Sequence, residues 1–202
     1  MVTAHGAMSL LDITEYLEQN NIKGVFIEMG CWRGGMSALM AMNSSNRDIW
    51  LFDSFEGIPN LRKEDFDGSF EFEMKTKLNK GELKPIGALE ASLDDAQYAM
   101  QNIAKHPLKK THYAKGWFQD TLPKYASEIK DIALLRLDGD LYESYMVSLE
   151  ALWDKVVPGG FVIIDDFALG GCRKAIQDFF KQKGIDPYLH NVDFTVKVIQ
   201  KN

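Results

Sequence analysis

The hydrophobic positions of this chain fall into two alternating patterns. Short apolar runs occupy residues 23–28, 48–53, 131–137 and 161–164, with a more mixed run at 110–114. Between them apolar residues recur every third or fourth position. The sets are Leu10, Ile13 and Leu17; Met36, Leu39 and Met40; Leu93, Ala96, Met100 and Ile103; Leu141, Tyr145, Leu149, Leu152 and Val156; and Ala175, Ile176, Phe179 and Phe180. An unbroken run predicts a strand buried on both faces, and the wider spacing predicts a helix burying one stripe. Strands alternating with helices are the pattern of βαβ crossovers. The expected fold is therefore α/β, a mostly parallel seven-stranded sheet with helices on both faces and a C-terminal antiparallel hairpin from residues 185–190 and 193–200.

Punctuation residues set the expected boundaries. Ser9 with Asp12 reads as an acidic capping box opening the first helix, and Asn20-Asn21 closes it. Residues 116–123 read as a loop ending on Pro123 at a helix N-terminus. Pro158-Gly159-Gly160 should break the helix 141–156, and Gly170-Gly171 should introduce the last one. From 57 to 89 the periodicity fails: Arg62, Lys63, Glu64, Asp65 and Asp67 mix with Phe66, Phe70 and Phe72. That is long for a plain connection. It reads as a lid, a substrate-binding insert or an oligomer contact within one domain spanning 1–202.

Composition narrows the function classes. A chain of 202 residues with 46% hydrophobic content builds a sizeable core. A net charge of −6 favours neither nucleic acid nor a membrane surface as partner. Cys31 and Cys172 form no CxxC, as expected of a reduced, cytoplasmic protein. The N-terminal residues lack the pattern of a signal peptide, and no apolar run approaches a membrane span.

The chemistry concentrates where predicted strands end. Val25-Phe26-Ile27-Glu28 runs into Gly30, Gly34 and Gly35, a turn whose glycines permit close backbone approach and whose following helix offers free N–H groups to an anionic ligand group. Asp53 closes the second strand, 23 positions past Gly30. A carboxylate there can accept hydrogen bonds from both hydroxyls of a ribose. Two further strands end in acids, Asp138 with Asp140 and Asp165 with Asp166. Neighbouring strands lie about 4.8 Å apart, so these acids should converge. Converging carboxylates with no Cys or paired His fit a hard cation, Mg²⁺ or else Ca²⁺ or Mn²⁺. Asp138 or Asp140 could take a proton from a metal-held hydroxyl. Of the histidines, His112 reads as strand-embedded, His5 and His106 as peripheral, and His190 as a minor candidate base.

Five blocks together resemble the macrocin O-methyltransferase (TylF/MycF-type) family: Glu28–Gly35, Asp53–Pro59, Gly116–Pro123, Leu135–Ser144 and Gly159–Asp166. The resemblance implies a Rossmann-like class I methyltransferase fold and a reaction in which S-adenosylmethionine methylates a hydroxyl with the help of Mg²⁺. It implies that Glu28, Gly30, Arg33 and Gly34 border the cofactor, with Glu28 and Gly30 near its methionine part. Asp53, Ser54 and Phe55 would hold its ribose and adenine, and Ser92, Gly116, Trp117, Asp120 and Asp138 would complete the binding set. It implies a metal site of Asp138, Asp165 and Asp166, with Asp138 and Asp140 as candidate bases. The expected partner is a small hydroxylated acceptor such as a sugar, with a homo-oligomer possible. Only about twenty residues precede the first strand, fewer than is usual in the family, which leaves a smaller acceptor than a macrolide open. A cofactor-binding protein without turnover and a metal-dependent hydrolase are the competing classes.

Overall fold

The computed structural model describes residues 2–44, 46–65 and 83–202. In chain order the elements are α1 (Ala4–Gln19), β1 (Val25–Met29), α2 (Gly35–Asn43), β2 (Ile49–Asp53), α3 (Leu93–Tyr98), β3 (Thr111–Lys115), α4 (Phe118–Tyr125), β4 (Ile132–Leu137), α5 (Tyr142–Leu152), β5 (Val156–Ile164), α6 (Gly170–Lys183), β6 (His190–Asn191) and β7 (Lys197–Gln200). Short 3-10 turns and a π turn punctuate them. The strands form one sheet in the order β3-β2-β1-β4-β5-β7-β6. The pairs from β3 to β5 are parallel, and β7 joins antiparallel to β5 and to β6. The expected seven-stranded sheet and C-terminal hairpin are both present. The strand order reverses between β1 and β4, so the crevice of this open sheet lies past the ends of those strands.

Side chains alternate across the sheet and divide the core in two. Ile27, Met29, Leu135, Leu137 and Ile164 face α4, α5 and α6. Phe26, Leu51, Leu134 and Ile163 face α1, α2 and α3. The alternation has a consequence for charge. Glu28, Arg136 and Asp165 continue the second face, two residues beyond Phe26, Leu134 and Ile163.

Several boundaries differ from those expected. The first helix starts at Ala4, capped by the Thr3 hydroxyl accepting from the Gly6 N–H, so Ser9 and Asp12 lie within it. Helix α4 begins upstream of its proline: Trp117 is the N-cap and Pro123 sits inside the helix. The proline costs only the hydrogen bond to the Gln119 carbonyl. Helix α5 ends at Leu152, and Val156 opens β5. Pro158-Gly159-Gly160 lies within β5 as a bulge, between the pairs Ile132↔Val156 and Leu134↔Phe161. Gly159 at φ +80° and its N–H bond to Lys201 let the strand continue. After Tyr98 the helix widens into a π turn, Ala99–Ile103, which rotates Ile103 out to solvent instead of onto the buried face. Of the predicted strand 185–190, only His190 is in β6.

The 57–89 insert is closed at its base. The Ile58 N–H bonds the Ala88 carbonyl at 2.9 Å, the Ile86 N–H bonds Ile58 at 3.0 Å, and the Asn60 N–H bonds Lys84 at 2.9 Å. Gly57, at φ +85°, is required there because a Cβ would lie 2.2 Å from the Ala88 carbonyl oxygen. Asp65 accepts from the Tyr142 N–H at 2.8 Å, fastening the first arm to the start of α5. Phe66, Asp67, Phe70 and Phe72, on which the lid reading rests, lie outside the described residues.

Candidate active site

The site is assembled from turns at the carboxyl ends of the parallel strands. At the end of β1 the chain passes so close to β4 that a Cβ on Gly30 would lie 1.8 Å from the Asp138 carbonyl oxygen. Gly30 has φ +89°. The Asp138 N–H returns to the Met29 carbonyl at 2.9 Å. Three further residues of these turns, Trp32, Phe55 and Asp140, hold positive φ without being glycine. Such conformations persist where surrounding bonds enforce them. Asp53 supplies two of those bonds: Oδ2 accepts from the Trp32 N–H at 2.8 Å and Oδ1 from the Phe55 N–H at 2.7 Å. Burial pushes the Asp53 carboxyl up from its ordinary range, against the pull of these two N–H groups.

One cleft runs past these turns. Of the residues proposed from sequence, Gly30, Asp53, Ser54, Trp117, Asp138, Asp140 and Asp166 line it. The insert stem adds Gly57, Ile58, Pro59 and Leu89, and Phe118, Gln119 and Ser144 close the opposite side. The other proposed residues stand behind or beside this wall. Gly34 is the left-handed N-cap of α2, packed on Ala96. Arg33 lies over the Trp32 ring at 5.0 Å. Phe55 is buried in the core, and Ser92 caps α3 in a capping box with Asp95. Gly116 packs on Thr121, and Asp120 is exposed on the first turn of α4. Glu28 and Asp165 are buried beneath the cleft.

The acids converge as expected. Asp138, Asp165 and Asp166 each bring an oxygen within 4.8 Å of the others. Asp166 is oriented by the Asp140 N–H at 3.0 Å and the Tyr145 hydroxyl at 3.0 Å, and that hydroxyl also reaches the Leu137 carbonyl at 2.9 Å. Burial, and then the neighbouring acids, hold the Asp166 carboxyl well above its usual range. Asp140 is pushed up to about 7, by burial first and by Asp138 second. Its carboxylate makes no hydrogen bond among the described residues.

The sequence reading missed Arg136. This fully buried residue places Nη1 at 2.5 Å from Glu28 and 2.7 Å from Asp138, and Nη2 at 2.7 Å from Asp165. Glu28 Oε2 also accepts from Ser37, so both oxygens of Glu28 are engaged. The signal was available: a charged residue inside a six-residue strand buried along its whole length needs a buried partner. Part of the acid charge that sequence reasoning gave wholly to a cation is therefore offset from within the chain. Asp166 and Asp140 pair with no cationic side chain among the described residues. Three hard oxygen donors with charge to spare fit a divalent cation such as Mg²⁺.

The histidines stand apart from the cleft. His106 is buried, not peripheral as expected, with its ring nitrogens at 2.8 Å from the Thr111 hydroxyl and 3.0 Å from the Arg47 carbonyl. His112 sits in β3 against Asp48, and His190 is on the edge strand β6. Cys31 is buried, and burial holds its thiol well above the ordinary range, which makes it inert as a nucleophile.

Comparisons with known proteins identify the family of the chain. The profile of the family described as macrocin-O-methyltransferase (TylF) matches residues 1–201. The chain is 35% identical over 182 residues to 8-demethyl-8-(2,3-dimethoxy-alpha-L-rhamnosyl)-tetracenomycin-C 4'-O-methyltransferase of Streptomyces olivaceus, covering 87% of this chain and 65% of that protein. It is 32% identical to demethyldecarbamoylnovobiocin O-methyltransferase of Streptomyces niveus, covering 95% of this chain and 72% of that one. The chain thus spans about two thirds of the length of these relatives. Among solved structures, the O-methyltransferase NovP superposes with a TM-score of 0.82 at 27% identity, over 98% of this chain and 80% of that one. Among the described residues no helix is long and apolar enough to cross a membrane. On the family match along nearly its whole length, this chain belongs to the macrocin-O-methyltransferase (TylF) family.

Proposed function

We propose that the chain methylates a hydroxyl of a sugar moiety on a small natural product, using S-adenosylmethionine and Mg²⁺. One observation carries this reading. A single cleft is bordered both by the Asp53-bound turns suited to a nucleoside and by Asp138 and Asp166, which with Asp165 just beneath form an acid triad suited to a hard cation. The sugar acceptor is supported by the relative from Streptomyces olivaceus, whose name specifies a rhamnosyl product.

Asp53 has two carboxylate oxygens, each with a lone pair beyond those used by Trp32 and Phe55, and these accept the ribose hydroxyls. The turn around Gly30 lets backbone approach the methionine part. Asp138, Asp165 and Asp166 would hold Mg²⁺, which when bound lowers the pKa of an acceptor hydroxyl. Asp140 takes the hydroxyl proton. Asp140 is preferred to Asp138 in this role because Arg136 already occupies Asp138 Oδ2. Ile58, Pro59, Leu89 and Trp117 supply apolar wall for the body of the acceptor. Positioning and exclusion of water are the main contributions of the chain.

Calorimetric titration with S-adenosylhomocysteine, followed by methyl transfer to rhamnosylated acceptors, tests this reading. Micromolar binding and Mg²⁺-dependent transfer are expected. Asp166→Asn should retain S-adenosylhomocysteine affinity and lose transfer. Absence of S-adenosylhomocysteine binding by the wild-type chain would overturn the assignment.

A further inference from the structure

One cation, Arg136, contacts three of the acids at and beneath the cleft. Glu28 and Arg136 are register partners on adjacent parallel strands, and Asp165 follows the pair Arg136↔Ile163 by two residues on the next strand. All three lie on the same face of the sheet, as does Asp138, two residues past Arg136. The row Glu28, Arg136, Asp138 and Asp165 therefore crosses the ends of β1, β4 and β5. Arg136 reaches along its strand and contacts all three carboxylates. On the far side, Ser37 holds Glu28 in place. Arg136 does not line the cleft; its Nε has no hydrogen-bond partner among the described residues, and its Nη2 meets Asp165 as an ion pair without hydrogen-bond geometry.

We propose that Arg136 is the positioning residue of the metal site. Anchored by Glu28, its guanidinium fork fixes the rotamers of Asp138 and Asp165 so that one oxygen of each meets Asp166 before any cation arrives. This rests on the metal-site reading above and deepens it. A lysine at 136 would keep the positive charge, but a single ammonium cannot hold three carboxylates on three strands in fixed directions. The planar fork is the property at issue, and the sign of the charge is secondary. Glu28 acts at one remove, by holding Arg136 against the pull of the two aspartates.

The test uses the full chain with Mn²⁺ as probe, read by electron paramagnetic resonance of the free ion, and S-adenosylhomocysteine titration as a parallel readout. Arg136→Lys is expected to weaken Mn²⁺ binding by about 10- to 100-fold, the usual effect of losing a partner that orients metal ligands. Its S-adenosylhomocysteine affinity should stay within about twofold of wild type. Glu28→Gln keeps the shape of the anchor and weakens its grip, so a smaller Mn²⁺ loss of roughly threefold or more is expected from the same effect. In the double variant the Mn²⁺ loss should match that of Arg136→Lys alone, because both residues act through one guanidinium. A folded Arg136→Lys with wild-type Mn²⁺ affinity would overturn the proposal. If that variant does not fold, Glu28→Gln decides, and wild-type Mn²⁺ affinity there overturns it equally. A wild-type chain that binds S-adenosylhomocysteine but no Mn²⁺ would instead sink the metal-site reading itself, and this inference with it.

Discussion

Three glycines of the β1–α2 turn look alike in sequence, yet the structure gives two of them opposite tolerances. At Gly30 a Cβ would stand 1.8 Å from the Asp138 carbonyl oxygen, where contacts under 3.0 Å are essentially never seen. In Gly30→Ala the two strand ends must separate by more than about 1 Å. That stretches the 2.9 Å bond from the Asp138 N–H to Met29 beyond bonding distance. A buried bond lost this way costs about 1–3 kcal/mol, and a left-handed alanine adds about 1–2 kcal/mol. The total, roughly 2–5 kcal/mol, lowers Tm by roughly 4–20 °C in a chain of this size. Gly35 opens α2, and a Cβ there meets nothing within 4 Å. Gly35→Ala should therefore raise Tm slightly, by at most about 1 kcal/mol of helix preference. The assay is differential scanning fluorimetry of both variants in EDTA, with and without S-adenosylhomocysteine. If Gly35 lies against the cofactor, Gly35→Ala stabilises the free chain yet loses part of the ligand-induced shift. A Gly30→Ala variant within 2–4 °C of wild type, or about 1 kcal/mol, would refute the reasoning, since no repacking of a side chain can relieve a clash with backbone.

Asp140→Asn removes the proposed base and should lower kcat at least about 100-fold. Burial and Asp138 raise the Asp140 carboxyl, so the wild-type rate should rise with pH as that group ionises, and an unchanged profile in the variant would exclude Asp140. Tyr145→Phe strips a hydroxyl shared by Leu137 and Asp166, and urea denaturation should show a loss of about 1–3 kcal/mol. Burial raises Glu28 from 4.5 to about 7, so the folded chain binds more protons than the unfolded one between those values. Stability in EDTA should accordingly fall as pH rises through that window and recover as it is lowered; Glu28→Gln should flatten the slope. Urea midpoints that climb with pH across the window would contradict the sign.

Much of the candidate site was legible because the strand ends that set the fold also bring its acids together. Asp53, Asp138 and Asp165-Asp166 each close an apolar run, and parallel neighbours must bring such ends together. What escaped depends on register. Nothing local links Glu28 to Arg136, 108 positions apart, and only their pairing as adjacent residues on β1 and β4 joins them. Helix limits failed where a local rule met a stronger tertiary demand. Pro158-Gly159-Gly160 reads as a stop, yet Lys201 supplies carbonyl and N–H partners that carry the strand through it. Pro123 reads as a start, yet the helix had begun five residues earlier. His106 looked peripheral among the flanking lysines and proline, but its two ring bonds tie Thr111 to Arg47 inside the fold.

The closed base of the 57–89 excursion bears on how acceptor range can diverge. Bonds between Ile58 and Ala88 and between Asn60 and Lys84 bring the two ends together independently of what lies between them. Lengthening such a segment adds only a logarithmic entropy term, about 0.6 kcal/mol for each doubling. The sheet, the acid row and the turns held by Asp53 do not have to repack when it changes. Ile58, Pro59 and Leu89 at its root line the rim of the cleft. On the function proposed above, a change in the length of this piece of chain would alter the shape presented to the acceptor and leave the turns at the strand ends as they are.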